Sequence, residues 1–232
     1  MRLACLMWYD VGIAEYADIN YKINKMYCDA HGYDLLRSST TSYTDGRKLH
    51  WEKLPMILDA IDSGSYDYVV WVDSDAHFYV DSARLESVIK DYPDVSLIFS
   101  GDLKQKAPWE INSGFMIIRC DSNSRILINN WAHNGAIKNK RKFPYNEQSI
   151  LWTMYSENIG GICDVSVVIP YGVLQHFYET ELDGFSYNKY TLKNRPYIQH
   201  SAGLLRSDRI KISSAYLRSV SRIGSQTHQG NS

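Results

Sequence analysis

Two aspartates, Asp73 and Asp75, have the residue type and the spacing for divalent-metal chemistry. They directly follow the run Tyr68–Val72, whose apolar residues without polar alternation are typical of a strand covered on both faces. Unpaired carboxylates are unfavourable to bury, and Mg²⁺ and Mn²⁺ prefer such oxygen ligands. Because ligands of open α/β sheets collect at the carboxyl ends of strands, we predict a metal site here. For an isolated Asp-Ser-Asp, the alternative of an aspartate that only caps a turn stays open.

The strand-like pattern resumes directly after the two acids, in residues 76–79. We therefore expect Asp73 and Asp75 to interrupt one sheet through a bulge instead of ending a strand. Alternate residues of a regular strand are about 6.5 to 7 Å apart at the backbone. A single ion with bonds of about 2.1 Å can then bind both carboxylates equally only if the strand bulges.

The elements that must position these acids follow a strand-helix-strand order from the start of the chain. Residues 2–9 and 33–37 have strand character, and between them apolar residues at helical spacing predict a helix that His31 and Gly32 end. Further strands are predicted at 95–100, 115–118 and 165–169, and further helices near 51–61, 82–90, 122–136, 146–154 and 208–220. The crossover length indicates parallel strands, so we predict an α/β fold with a mixed, mainly parallel sheet flanked by helices.

Length and charge limit the classes of protein to consider. The chain has 232 residues, of which 44% are hydrophobic, so it can form one substantial core. We expect one domain over residues 1–206, and over 207–232 a C-terminal helix with a flexible tail or linker that is disordered from about residue 226. A formal net charge of -1 gives no reason to expect nucleic acid as a partner. The first apolar run is too short for a secretion signal or a membrane span.

Several other segments hold residues suited to a site. Lys53 begins a predicted helix together with Arg47 and His50, where basic groups can meet phosphates or simply face solvent. The sequence 112–114, Asn-Ser-Gly, precedes a strand and indicates either close approach to a ligand or a bulge. A helix capped by Asn146 carries an acid and an amide in its first turn, a position that also suits the helix dipole alone. The aromatic, irregular segment 171–195 is typical of a functional loop.

Taken in chain order, the motifs resemble one known class of enzyme. They are Trp51-Glu-Lys53-Leu-Pro55, the Val-Trp-Val-Asp73-Ser-Asp75-Ala run, Asn112-Ser-Gly114-Phe, Glu147-Gln148 and His200-x-x-Gly203. Together they resemble the GT-A glycosyltransferases, most closely the galactosyl- and xylosyltransferases of glycosyltransferase family 34, over roughly residues 2–205. The compact length is similar to that of soluble relatives from large algal DNA viruses. The resemblance implies a single-domain, Rossmann-like GT-A fold.

The resemblance also implies ligands and roles. It implies a UDP-sugar donor, an oligosaccharide or glycoprotein glycan acceptor, and Mn²⁺ or Mg²⁺ as cofactor. Asp75 would bind the metal directly, Asp73 would bind the metal or the donor ribose, and His200 would complete the coordination. The nucleotide base would lie against residues of the first strand end, and the donor sugar along residues 112–114. The implied donor contacts are Leu6, Met7, Tyr9, Asp10, Lys53, Asp73, Ser74, Asn112, Ser113, Gly114 and Gly203.

The catalytic roles depend on the stereochemical outcome. If the reaction inverts the anomeric centre, Asp102 or Glu147 would accept the proton of the acceptor hydroxyl. If it retains the anomeric configuration, Gln148 or a backbone carbonyl would assist instead. The sequence leaves both outcomes open.

Other functions also remain open at this stage. They are a metal-dependent phosphohydrolase, a glycosidase, and a nucleotide- or sugar-binding domain without turnover. Because no membrane anchor is recognised, unlike in eukaryotic members of the resembling family, we expect a cytoplasmic protein, in the host cytoplasm if it is viral.

Overall fold

The computed structural model describes residues 1–103, 106–138, 146–177 and 196–227 of the chain. The strands are β1 (Leu3–Trp8), β2 (Asp34–Ser38), β3 (Tyr68–Val72), β4 (Ala76–Phe78), β5 (Leu97–Gly101), β6 (Ile111–Arg119), β7 (Ser166–Ile169), β8 (Gln175–Phe177) and β9 (Ile198–His200). The α-helices are α1 (Ala14–His31), α2 (Lys53–Asp62), α3 (Glu86–Ile89), α4 (Ser122–Lys138), α5 (Asn146–Ser156) and α6 (Arg206–Thr227). Two 3₁₀-helices span Leu49–Glu52 and Ile159–Asp164.

The main sheet has six strands in the order β2-β1-β3-β6-β5-β7. Strand β6 runs antiparallel to both of its neighbours, whereas the pairs β1–β2, β1–β3 and β5–β7 are parallel. The predicted α/β class with a mixed, mainly parallel sheet is therefore confirmed. A second, three-stranded sheet has the order β4-β9-β8 and stands beside the end of β3.

The core lies on both faces of the main sheet because its central strands alternate their side chains between two apolar layers. Along β1, Cys5 and Met7 join the layer that includes α1, while Ala4 and Leu6 join the layer of α2, α4 and α5. All five residues of β3 are buried, as the unbroken apolar run Tyr68–Val72 predicts. Because β3 ends at Val72, the chain leaves the main sheet at Asp73.

Several predicted boundaries differ from the structure. Residues 112–114 lie inside β6 instead of preceding it, since Asn112 pairs with Ser100 of β5. The register between β5 and β6 shifts between Phe99 and Ser100, which agrees with the bulge that the sequence left open as an alternative. The helix predicted at 82–90 is a single turn, Glu86–Ile89. Helix α6 packs against α1 and includes Gln226 and Thr227, which the sequence assigned to a disordered tail. Helix α1 ends as predicted, with Gly32 in the left-handed conformation at φ 72°.

The predicted loop at 171–195 lies mostly outside the described residues, and so does Lys104 of the loop that follows β5. Among the helices that the structure describes, none combines the length and the apolar character that a membrane crossing requires.

Candidate active site

The two aspartates lie in a tight turn that joins the two sheets. The Ala76 amide donates to the Asp73 carbonyl at 2.9 Å, which closes the turn, and the Asp73 amide donates to the Gly114 carbonyl at 2.9 Å. On the other side, the Ser201 amide donates to the Asp75 carbonyl at 2.9 Å. The sequence predicted a bulge within one sheet. The structure instead turns the chain out of the main sheet into β4, and this turn brings the carboxylates together.

His200 reaches this turn from β9, where it pairs with Ala76 of β4. Its Nε2 lies 3.1 Å from Asp75 Oδ1 and 3.9 Å from Asp73 Oδ2. Its Nδ1–H donates to the buried Gln175 Oε1 at 3.2 Å, which fixes the orientation of the ring. The structure therefore brings together three side chains that are up to 127 positions apart in the sequence, since residue 73 meets residue 200.

The electrostatics of this group are strongly coupled. Burial alone would raise the pKa of Asp75, but His200 and the Arg209 guanidinium lower that pKa to about 2. Burial alone would lower the pKa of His200, but Asp75 and Asp73 raise it above its ordinary value. Both effects favour the charged forms, so the site is a compact cluster of opposite charges.

This donor set fits a divalent cation of the Mn²⁺ or Mg²⁺ kind. Each of Asp73, Asp75 and His200 offers one ligand atom, and these atoms lie within 4.8 Å of one another. Two ligands bonded at about 2.1 Å and at right angles to each other are about 3 Å apart, which matches the separation of His200 Nε2 and Asp75 Oδ1. Carboxylates are hard oxygen ligands, and an imidazole nitrogen suits Mn²⁺ well.

Lys53 is buried between two carboxylates at this end of the main sheet. Its Nζ lies 2.9 Å from Glu147 Oε1 and 3.3 Å from Asp73 Oδ1, and it donates to the Ser113 carbonyl at 3.2 Å. Burial alone would lower the pKa of Lys53, but Asp73 and Glu147 raise it overall. The indole of Trp71 also donates to Asp73 Oδ1, at 2.6 Å. One oxygen of Asp73 is thereby committed to the protein, and Oδ2 is left facing His200.

The predicted catalytic residues form a connected network beside the metal-ligand cluster. Gln148 Oε1 accepts from the Ser113 amide at 3.0 Å, and Gln148 Nε2 donates to Asp102 Oδ2 at 3.0 Å. Glu147 Oε1 accepts from the Ser113 hydroxyl at 3.1 Å in addition to its ion pair with Lys53. Burial raises the pKa of Asp102, although its hydrogen bonds partly oppose this.

Two cavities meet at the acidic turn. The larger, about 650 Å³, includes Trp8, Asp10, Tyr16, Ser74 and Arg209 in its lining. The second, about 550 Å³, lies on the side of β6 and α5, and its lining includes Asp102, Asn112, Ser113, Glu147, Gln148, His200 and Gly203. Because Asp73 and Asp75 line both cavities, the two form one cleft, and each cavity by itself has a volume typical of small-molecule sites.

Some predicted donor contacts lie elsewhere. Leu6 and Met7 are fully buried, and the strand alternation of β1 directs them into opposite apolar layers. Tyr9 is 1% exposed, and its hydroxyl donates to Asp18 at 2.7 Å. These three residues line neither cavity, whereas Asp10 lines the larger one.

Gly114 also has a different place from the one predicted along the donor sugar. It is buried in β6 against the imidazole, and a Cβ built on it would lie 2.3 Å from His200 Cε1. Glycine at this position therefore makes room for the imidazole of His200, a candidate metal ligand. Asn112 and Ser113 do line the second cavity.

The cleft-lining residues that the sequence interpretation did not assign to the site include four whose aromatic or charged side chains could contact a ligand. Trp8 and Tyr16 flank the predicted Asp10, and Arg209 comes from α6, while Phe177 meets the His200 ring edge-on with centroids 5.4 Å apart. Phe177 lies in the aromatic segment that the sequence marked as functional. Polar residues near Trp8 and Tyr16 in the sequence are a weak indication that these aromatic residues belong to a site. No sequence motif indicates Arg209.

Part of the sequence is similar to a known protein family. Residues 9–99 match the sequence profile of the galactosyl transferase GMA12/MNN10 family. No curated protein sequence matches the chain.

Several solved structures share the fold. One is a glycosyltransferase involved in the glycosylation of the major capsid of PBCV-1, with a TM-score of 0.70 at 17% identity, covering 93% of this chain and 100% of that one. The galactosyltransferase LgtC in complex with donor and acceptor sugar analogs has a TM-score of 0.54 at 14% identity, covering 91% and 95%. GlyE of Streptococcus pneumoniae TIGR4 has a TM-score of 0.57 at 13% identity, covering 94% of this chain and 63% of GlyE.

These similarities identify the fold as that of the GT-A glycosyltransferases. The family match and the shared fold together support a GT-A glycosyltransferase related to the galactosyl transferase GMA12/MNN10 family.

Proposed function

We propose that this protein is a metal-dependent glycosyltransferase that moves a sugar from a UDP-sugar donor to a hydroxyl of an oligosaccharide or glycoprotein glycan. The observation that carries the proposal is the convergence of Asp73, Asp75 and His200, with ligand atoms within 4.8 Å of one another, at the junction of two cavities. A metal centre between a nucleotide-sized cavity and a polar one suits a reaction in which a nucleoside diphosphate leaves a sugar.

The larger cavity suits the nucleotide. Trp8 and Tyr16 offer aromatic surface, and Asp10 offers a carboxylate to donors of the base or ribose. The second cavity suits the donor sugar and the acceptor, because carboxylate and amide side chains line it and can accept and donate hydrogen bonds to hydroxyl groups.

The chemistry requires stabilisation of the departing diphosphate. A bound Mn²⁺ or Mg²⁺ would supply Lewis-acid stabilisation of the charge on that leaving group, worth several kcal/mol. Asp75 and His200 would hold the ion, and Asp73 would hold either the ion or the ribose. Lys53 pairs with Asp73 and Glu147 and fixes both carboxylates in place, and Gln175 orients His200.

The hydrogen-bonded network of Asp102, Glu147 and Gln148 contains a candidate catalytic residue for each stereochemical outcome. For inversion, we propose Asp102 as the base. Both Asp102 and Glu147 line the second cavity, but Glu147 is ion-paired with the buried Lys53, whereas burial raises the pKa of Asp102. For retention, Gln148 would be the group beside the reacting carbon, because it lines the second cavity and hydrogen bonds hold both ends of its carboxamide. The anomeric configuration of the product distinguishes the two.

The proposal is tested by offering a panel of UDP-sugars with and without Mn²⁺ and following the release of UDP. We expect slow, metal-dependent hydrolysis of one donor, and faster release when the matching glycan is added. Because the PBCV-1 neighbour takes part in the glycosylation of a capsid, glycoprotein glycans belong in the acceptor panel. Binding of UDP without consumption of any donor would indicate a binding domain, and cleavage of phosphate esters would indicate a hydrolase.

A further inference from the structure

The C-terminal helix α6 contributes a guanidinium to the acidic turn. Arg209 Nη2 lies 3.0 Å from Asp75 Oδ2, Nη1 donates to the Tyr16 hydroxyl at 3.1 Å, and Nε donates to the Ser201 carbonyl at 3.1 Å. These contacts hold the side chain from three directions, and it is 21% exposed. Arg209 therefore sits pre-organised in the wall of the larger cavity.

Arg209 differs from the other basic groups that line this cavity. Lys53 is 3% exposed and commits its ammonium group to Asp73, Glu147 and Ser113. Lys48 and His50 are exposed to solvent, where screening weakens their attraction for an anion. Arg209 combines partial burial with a fixed, planar fork of donors, the geometry that suits phosphate oxygens.

The same guanidinium opposes a divalent cation at the acidic turn. It neutralises Asp75 Oδ2, and its charge lies one carboxylate away from the position of the ion. A positive charge at this distance repels Mn²⁺ and competes with it for Asp75, whereas it attracts a diphosphate. Replacing Arg209 by a neutral residue should therefore increase the affinity for the cation and decrease the affinity for the diphosphate.

Building on the proposed function, we propose that Arg209 binds the diphosphate of the donor and antagonises the metal. Through this residue, α6 makes metal binding depend on the nucleotide: the metal alone binds weakly, and the arriving diphosphate offsets the charge of the guanidinium and so weakens its hold on Asp75.

The experiment compares the whole protein with Arg209→Gln, Arg209→Lys and the control Arg218→Gln, which removes an exposed arginine from the same helix. Titrations measure the Kd of MnCl₂ alone, by the electron paramagnetic resonance of free Mn²⁺, and of UDP alone in excess chelator, by calorimetry. Circular dichroism and thermal unfolding check the fold of each variant.

We expect Arg209→Gln to bind MnCl₂ about tenfold or more tightly and UDP about tenfold or more weakly than the wild type, each a change of about 1.4 kcal/mol. Arg209→Lys keeps the charge, so its Kd for MnCl₂ should stay within about threefold of the wild-type value, while UDP binding weakens because the fork is lost. Arg218→Gln should leave both constants within about threefold.

Changes of the two Kd values in opposite directions support the inference, because damage to the fold would weaken the binding of both ligands. Shifts of the same sign, or no shift, in folded Arg209→Gln overturn it and leave the proposed function intact. A folded wild type that binds UDP neither alone nor together with MnCl₂ overturns the proposed function and this inference with it.

Discussion

The contact between Gly114 and His200 gives the sharpest steric test of the site. The change Gly114→Ala adds one methyl group, which would lie 2.3 Å from His200 Cε1 and 2.9 Å from His200 Nδ1. Carbon atoms in contact are normally about 3.5 to 4.0 Å apart, so the imidazole must move by about 1 Å.

The backbone at this point cannot yield instead. The Gly114 amide donates to Asn112 Oδ1 at 2.9 Å, and its carbonyl accepts from the Asp73 amide at 2.9 Å. A displacement of the ring breaks the 3.1 Å approach of His200 Nε2 to Asp75. We expect overpacking to lower the free energy of unfolding by about 1 to 3 kcal/mol. We expect the affinity for Mn²⁺ to fall about 10- to 100-fold, as for other disturbances of metal-ligand orientation.

Two measurements separate these effects: urea unfolding followed by circular dichroism, and titration of MnCl₂ followed by electron paramagnetic resonance. Gly135→Ala is a matched control, because a Cβ there would lie 2.2 Å from Trp51 Cη2 in the core. It should lower stability similarly and leave the Kd of Mn²⁺ within about threefold, since Trp51 is not a ligand. A Gly114→Ala protein with unchanged Mn²⁺ affinity would refute the placement of His200 against Gly114 as a metal ligand.

Three further predictions address the charges of the site and its surroundings. Asp75→Ala should abolish Mn²⁺-dependent donor turnover with an unchanged circular dichroism spectrum, and a variant with undiminished turnover would remove Asp75 from its assigned role. Lys53→Met should lower the free energy of unfolding by about 3 to 5 kcal/mol, because it leaves the buried Glu147 and the half-buried Asp73 without their cationic partner. The double variant with Glu147→Gln should recover part of this loss in urea titrations, and no recovery would contradict the ion pair. Burial lowers the pKa of His77 to about 3 and that of His176 to about 4, so the unfolded chain takes up protons first as the pH falls below 6.5. The free energy of unfolding should then decrease between pH 6.5 and about 4, by up to about 2.7 kcal/mol per pH unit, and a flat profile in that window would contradict the neutral burial of these rings.

The sequence predicted those parts of the fold that depend on local pattern. The unbroken apolar run of β3 predicts burial on both faces, and Gly32 predicts the end of α1. Both predictions depend on only a few adjacent residues. The resemblance to GT-A enzymes supplied His200, whose meeting with Asp75 no local pattern can show.

The remaining features depend on which way a side chain points and on contacts between distant elements. Leu6 and Met7 were predicted to contact the nucleotide base from the end of the first strand. The pleat of β1 instead buries one of them on each face of the sheet. Gly114 signalled a close approach, and only the packing of β9 on β6 shows that the approaching group is an imidazole. Arg209 is one of several basic residues of α6, and its role follows from the packing of that helix on α1.

The charges around Asp75 explain why metal and nucleotide should bind together. Three carboxylates and three basic side chains meet there: Asp73, Asp75, Glu147, Lys53, His200 and Arg209. With His200 protonated, these charges balance. A divalent cation that binds His200 must displace the Nε2 proton, so the cation alone would leave one uncompensated positive charge in a partly buried site, which is unfavourable at low dielectric. A nucleoside diphosphate brings the missing negative charge and offers Arg209 a second anionic partner. The side chains that neutralise Asp75 in the protein alone thus favour the entry of the cation with the phosphates, at the point where the leaving group of a sugar transfer needs it.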